Sequence, residues 1–223
     1  MSRIASYNGY EVLLYPLDNV GITADPYASN HTVTGVGNTG IWDNGWHYNI
    51  HDPLYAPCTM RLVANPHDAA NTQMYVSQDP VWIPGQSSPT YVTMSFSHSN
   101  TLYYNTIGDI VPQGTHFYDI GDAGLGSGPH VHMILGIGAR TSIWPVGYNS
   151  LYGNIYYSPN PPGNIADFFY LLDTDTISNG WGLTWSRWSG GSPVTNARLV
   201  AAMIIKRKKK GGVVIYGLDP GFL

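Results

Sequence analysis

Two histidines one residue apart, in the segment Gly128-Pro129-His130-Val131-His132, constrain this chain more than anything else in it. In an extended strand residues i and i+2 share a face, so this spacing brings both imidazoles to one small site. Imidazoles converging on a point suit a metal ion or a proton-transfer centre. The preceding segment, residues 120–129, carries four glycines, which let backbone pass close by before the strand begins. A lone His-x-His pair is also what ordinary surface or core histidines give; the glycine loop ahead of it strengthens the functional reading.

A metal site needs further ligands, and upstream lies Trp46-His47-Tyr48-Asn49-Ile50-His51-Asp52-Pro53. His47 and His51 are at i and i+4, one face of a strand, while Asp52 falls on the other face unless a bulge intervenes. Between the clusters, in Phe96-Ser97-His98-Ser99, His98 stands at the end of the alternating run Tyr91-Val92-Thr93-Met94-Ser95-Phe96. Seventeen Tyr, seven Trp, 26 Gly and 16 Pro, with short alternating runs between turn residues, predict an all-β chain with few short helices. Residues 164–172 read equally as a short helix or a strand. At 223 residues with 43% hydrophobic and 11% charged residues, a sizeable single core is within reach.

These segments, in this order, resemble the lysostaphin-type (LytM-like) zinc endopeptidases, which cleave peptide cross-links of bacterial peptidoglycan. The family motif His-x-Gly-(Ile/Val)-Asp is similar to His47-Tyr48-Asn49-Ile50-His51 at three of five positions. The small-residue-Pro step that follows resembles Ala56-Pro57, and the strand after it Leu62-Val63-Ala64. Tyr-x-His is similar to Phe96-Ser97-His98. Val-Gly-Asp-x-Val-x-x-Gly resembles residues 107–114, and Gly-Pro-His-Leu-His is nearly reproduced at residues 128–132. The match spans roughly residues 10–140, with residues 22–35 similar to the family's entry loop.

The resemblance implies an antiparallel sheet with a zinc-containing groove. It further implies Zn²⁺ held by His47, His132 and the residue at position 51, with His98 and His130 as the non-ligand pair that moves protons and stabilises the oxyanion. The chain departs from the family at position 51, where the ligand aspartate is replaced by His51 and Asp52 follows one residue later. Spacing favours His51 as the ligand, whereas a bulge would bring in Asp52. Asn49 replaces a glycine, a mild change because Asn tolerates left-handed backbone. Glu11 is the only glutamate and the helical His-Glu-x-x-His signature is absent, so the base must be a histidine.

Other residues carry less. Cys58 rules out an internal disulfide and, without a helix N-terminus beside it, makes a poor nucleophile. His31 and His116 read as surface or core residues and His67 as a turn residue. The run Lys206-Arg207-Lys208-Lys209-Lys210 stands against five Arg, no Lys and thirteen acids in residues 1–205, a balance of 5 − 13 = −8. Anionic wall polymer or nucleic acid could attract such a run, but a solvated hairpin turn before Gly211-Gly212 is preferred and no nucleic-acid partner is expected. Residues 1–187 are expected to form the peptidase domain and residues 188–223 a short appendage with that hairpin. With no apolar stretch near 18 residues and a polar N-terminus, neither a membrane span nor a cleavable signal is expected. A wall-cutting enzyme of this kind would travel in a bacteriophage particle, with tail proteins as partners, or be released at lysis. The alternative expectation is a catalytically degenerate structural or wall-binding component of such a particle.

Overall fold

The computed structural model describes residues 3–24, 38–42, 51–124, 129–139, 169–177, 186–188, 208–209 and 212–213. Among them there is no helix, and the described residues form an all-β fold. One eight-stranded sheet runs, edge to edge, through β13 (Thr176–Ile177), β3 (Asn19–Ala24), β4 (Asn38–Trp42), β11 (Val131–Ile137), β8 (Val92–Ser97), β7 (Gln73–Ser77), β6 (Met60–Ala64) and β9 (Ile110–Val111). All its pairings are antiparallel except that of β13 with β3. Four two-stranded units complete the described strands. They are β1 (Ser6–Tyr7) with β2 (Tyr10–Glu11), β5 (Pro53–Tyr55) with β10 (His116–Asp119), β12 (Tyr170–Leu171) with β14 (Ser186–Arg187), and β15 (Lys208–Lys209) with β16 (Gly212–Val213).

Alternation explains which side chains go where. In β8 the apolar positions Val92, Met94 and Phe96 are buried in the main core, and in β11 Val131, Met133 and Leu135 join them. Leu54 of β5 and Phe117 and Tyr118 of β10 close this core from the other side, with Tyr15 and Phe169. Phe96 is its aromatic hub, with ring centroids 5.0 Å from Phe117, 6.0 Å from Tyr118 and 6.1 Å from Tyr75. The opposite face of the sheet buries Val63, Ala64, Met74 and Val76 in a smaller cluster. A buried ion pair between Arg3 and Asp175 ties the N-terminal segment to the strands beyond residue 168, and the same guanidinium donates to the Tyr15 carbonyl at 2.6 Å.

Several expectations meet the structure here. The alternating run before His98 is β8, and Leu62-Val63-Ala64 lies in β6. The segment read as helix or strand is a strand where it is described, at Tyr170–Leu171, paired in parallel with β14. Of the segment around the basic run, Lys208 lies opposite Val213 and Lys209 opposite Gly212 in an antiparallel pairing. Trp188 donates its backbone N–H to the Leu171 carbonyl at 2.7 Å, so the packed body reaches at least that residue. No helix among the described residues is long and apolar enough to cross a membrane.

Because Phe96 sits two residues before His98 and carries the core contacts of β8, Phe96→Ala should cost about 3–5 kcal/mol. Urea unfolding monitored by far-UV circular dichroism checks this, and a loss below about 1 kcal/mol would contradict the hub assignment.

Candidate metal and proton-transfer site

The register of β11 decides the site. His132 lies opposite Gly40 of β4 on one side and Ser97 of β8 on the other. His130, two residues earlier on the same face, pairs with Gly121 through an isolated bridge and donates its N–H to the Gly121 carbonyl at 2.9 Å. Strict alternation would send His98 to the core face with Phe96. Its backbone instead turns left-handed, with φ of 87°, and takes the side chain out of that alternation. The result is a cluster in which His98, His130 and His132 each offer a nitrogen within 4.8 Å of the others. The His98 ring centroid is 5.0 Å from that of His130 and 6.0 Å from that of His132, and all three side chains are half-buried.

The strain at His98 is held by neighbours. Its N–H donates to the Ala70 carbonyl at 2.6 Å, and its own carbonyl accepts from Ala123 at 3.0 Å. Left-handed backbone at a non-glycine residue costs about 1–3 kcal/mol and persists only where the surroundings enforce it. Gly121 is the enforcing contact: a Cβ there would stand 2.3 Å from the His98 carbonyl oxygen and 2.8 Å from the Asn100 nitrogen, both backbone atoms.

The same turn sets the protonation of His98. Its Nδ1 lies 2.9 Å from the Ala123 carbonyl, which can only accept, so Nδ1 carries the proton and Nε2 is the acceptor nitrogen. Burial holds its pKa below the ordinary 6.5, outweighing the Ala123 hydrogen bond and the charge of Asp68, which pull it up. A neutral imidazole of fixed tautomer can ligate a cation or accept a proton.

The remaining candidates divide. His47 lies outside the described residues, as does His31. His51 is not a member of that three-histidine cluster; its side chain is 64% exposed and its Nδ1 faces Asp119 Oδ2 at 3.8 Å. The expectation that His51 sits on a strand face is corrected, because β5 begins only at Pro53 and His51 has φ of 83°. Asp52 has its Oδ2 buried with no hydrogen-bond partner, an unusual state for a carboxylate oxygen and one that a cation would relieve. His67 is an exposed residue with φ of 54°, in keeping with a turn. Cys58 is fully buried, and burial pushes its thiol pKa up, the opposite of what a nucleophile needs. Glu11 is spent on the N–H and hydroxyl of Thr59.

Sequence reasoning missed Gly121, Ala123 and Asp119. Gly121 stood within the glycine-rich loop, but nothing local says which of its glycines meets another backbone.

The sequence matches no protein-family model and no curated protein. Among solved structures the chain is similar to the catalytic domain of the antimicrobial peptidase lysostaphin from Staphylococcus simulans, with 17% identity, a TM-score of 0.38, and coverage of 63% of this chain and 86% of that one. It is also similar to the antimicrobial peptidase lysostaphin of the same organism, with 18% identity and a TM-score of 0.40, over 70% of this chain and 61% of that chain's length.

Gly121→Ala should destabilise the protein by at least about 1–3 kcal/mol, since only backbone can yield, and should displace His98. Urea unfolding and the His98 ring signals in an NMR spectrum report the two effects, and unchanged signals would dissociate Gly121 from the site.

For His98 the lowered folded pKa means that the unfolded chain takes up the proton more readily. Its stabilising share is therefore complete above 6.5 and is lost as pH falls below that through the folded value. In chelator-treated protein, stability should drop less between about pH 7 and pH 5 in His98→Gln than in the wild type; equal drops would refute the assignment.

Proposed function

We propose that the protein is a zinc-dependent endopeptidase acting on the peptide cross-links of bacterial peptidoglycan. The observation that carries this reading is the convergence of His98, His130 and His132 from the ends of β8 and β11, in segments that resemble a wall-peptidase family in order and spacing. The chemistry of the residues fits zinc: half-buried imidazoles in the cluster and, on Asp52, a buried carboxylate oxygen without a hydrogen-bond partner. His132 would hold the ion together with His47 and either His51 or Asp52. When bound, zinc supplies a Lewis acid for the scissile carbonyl and acidifies a water towards a pKa of about 7.

The chain's own residues account for the rest. His98 holds its proton at Nδ1 through Ala123, which leaves Nε2 to accept one from the attacking water. His130, 5.0 Å away ring to ring, would donate to the developing oxyanion or the leaving amine. Half-burial of the trio limits competing water and keeps His98 neutral at the pH where a base is needed. Delivery in a bacteriophage particle, alongside tail proteins, or release at phage-induced lysis belongs to the same proposal.

One observation favours a second reading, a catalytically degenerate structural or wall-binding component. The residue at the replaced ligand position is a histidine, His51, whose side chain is 64% exposed.

Elemental analysis should find about one zinc per chain, and His132→Ala should abolish it, because loss of one of three ligands releases the metal. His98→Ala and His130→Ala should keep the zinc and lose about 10²- to 10⁴-fold in hydrolysis of wall peptides, measured by mass spectrometry of peptidoglycan digests. Loss of zinc in either of these two variants would make the trio itself the ligand set. Zinc bound without hydrolysis of any wall type would establish the degenerate reading.

A further inference from the structure

Beyond the trio, the described residues contain a second cluster of titratable groups centred on Asp119, at the end of β10. Its side chain is only 2% exposed. Oδ1 accepts from His116 Nε2 at 2.6 Å and Oδ2 from the Tyr103 hydroxyl at 2.7 Å, while the backbone N–H of Asp119 donates to Ser99 Oγ at 3.3 Å. A register shift between His116 and Tyr118 places the His116 ring on the same side as the carboxylate, which plain alternation would forbid. The Tyr103 and His116 rings pack against each other beside it, centroids 4.6 Å apart and planes tilted by 55°. This cluster holds Asp119 in one orientation with great economy, yet each carboxylate oxygen has two acceptor sites and capacity remains on Oδ2.

The direction in which that capacity points is informative. His51 Nδ1 lies 3.8 Å from Oδ2, a gap that a small ring rotation or one bridging water closes, and the exposed His51 side chain is free to make it. Backbone bonds lock the two residues side by side: His51 N–H donates to the Ile120 carbonyl at 2.9 Å, and Ile120 N–H donates to the Asp52 carbonyl at 2.9 Å. These bonds also hold His51 at its left-handed φ of 83°.

We propose that Asp119 is a positioning residue for His51: its carboxylate takes the Nδ1 proton of His51 and leaves Nε2 as the lone pair offered to a cation. The metal part of this inference rests on the proposed zinc-peptidase reading with His51 as a ligand. Histidines that bind metals commonly hand their other ring N–H to a carboxylate, which fixes the ring and raises its basicity. Here the device also restores charge balance. With a histidine where a carboxylate ligand would bring a negative charge, the site loses one negative charge, and Asp119 returns it one layer out. His116 and Tyr103 anchor the carboxylate so that it can face His51.

Two measurements test this. In ¹⁵N-histidine-labelled, metal-free protein, the neutral His51 ring should carry its proton on Nδ1, whereas a free imidazole carries it mainly on Nε2; Asp119→Asn should return His51 to the free pattern. Zinc affinity by chelator competition should fall about 10- to 100-fold in Asp119→Asn. The same substitution in a His51→Asp background should cause no weakening, because a carboxylate at 51 has no N–H to orient and gains from losing a like charge. An Nε2 proton on wild-type His51 overturns the proposal, and that measurement needs no variant at 119. So does zinc affinity unchanged by Asp119→Asn while His51→Ala destroys it. If His51→Ala binds zinc as tightly as the wild type, the ligand reading fails separately, and the ring-proton measurement still decides whether Asp119 orients His51.

Discussion

The site depends on one register, that of β11 between β4 and β8. With His132 opposite Ser97, the end of β8 is delivered beside the His-x-His pair, and His98 needs only one backbone turn to join it. The register is itself enforced by burial. A slip of one residue would carry Val131, Met133 and Leu135 out of the core and push His132 in, an exchange that the apolar face of the sheet makes prohibitive. The aromatic packing around Phe96 thus determines where the histidines can be, although none of those rings touches the chemistry.

Strain is concentrated where the site is assembled. His51 and His98 both hold left-handed backbone, and both are bonded by main-chain groups from the segment of residues 120–123. Gly121 packs against the backbone at His98 with no room for a side chain, so that segment acts as a clamp between the two histidines. Such conformations are affordable because the surrounding sheet and core over-determine them.

Electrostatics follow from the same arrangement. His98 is kept neutral by burial and oriented by a carbonyl, while Asp119 is buried but supplied with donors from His116 and Tyr103.

The sequence by itself determined the strands and the residue types of the site. Alternation marked β8, glycine and proline punctuated the turns, and the spacing of His130 and His132 required an extended segment with both rings on one face, because strand periodicity is local chemistry. Tertiary structure decided the rest. Alternation alone would have assigned His98 to the core and His51 to a strand, and it is contacts from residues 120–123, with Ala70 at His98, that hold both in left-handed backbone. The role of Asp119 was invisible for a similar reason. A single acid in the run His116-Phe117-Tyr118-Asp119 carries no signal until a bulge brings His116 round to it and Tyr103 and His51 arrive from segments 16 and 68 residues away. Periodicity is written in neighbouring residues, whereas convergence depends on which distant backbones a register and a missing side chain allow to touch.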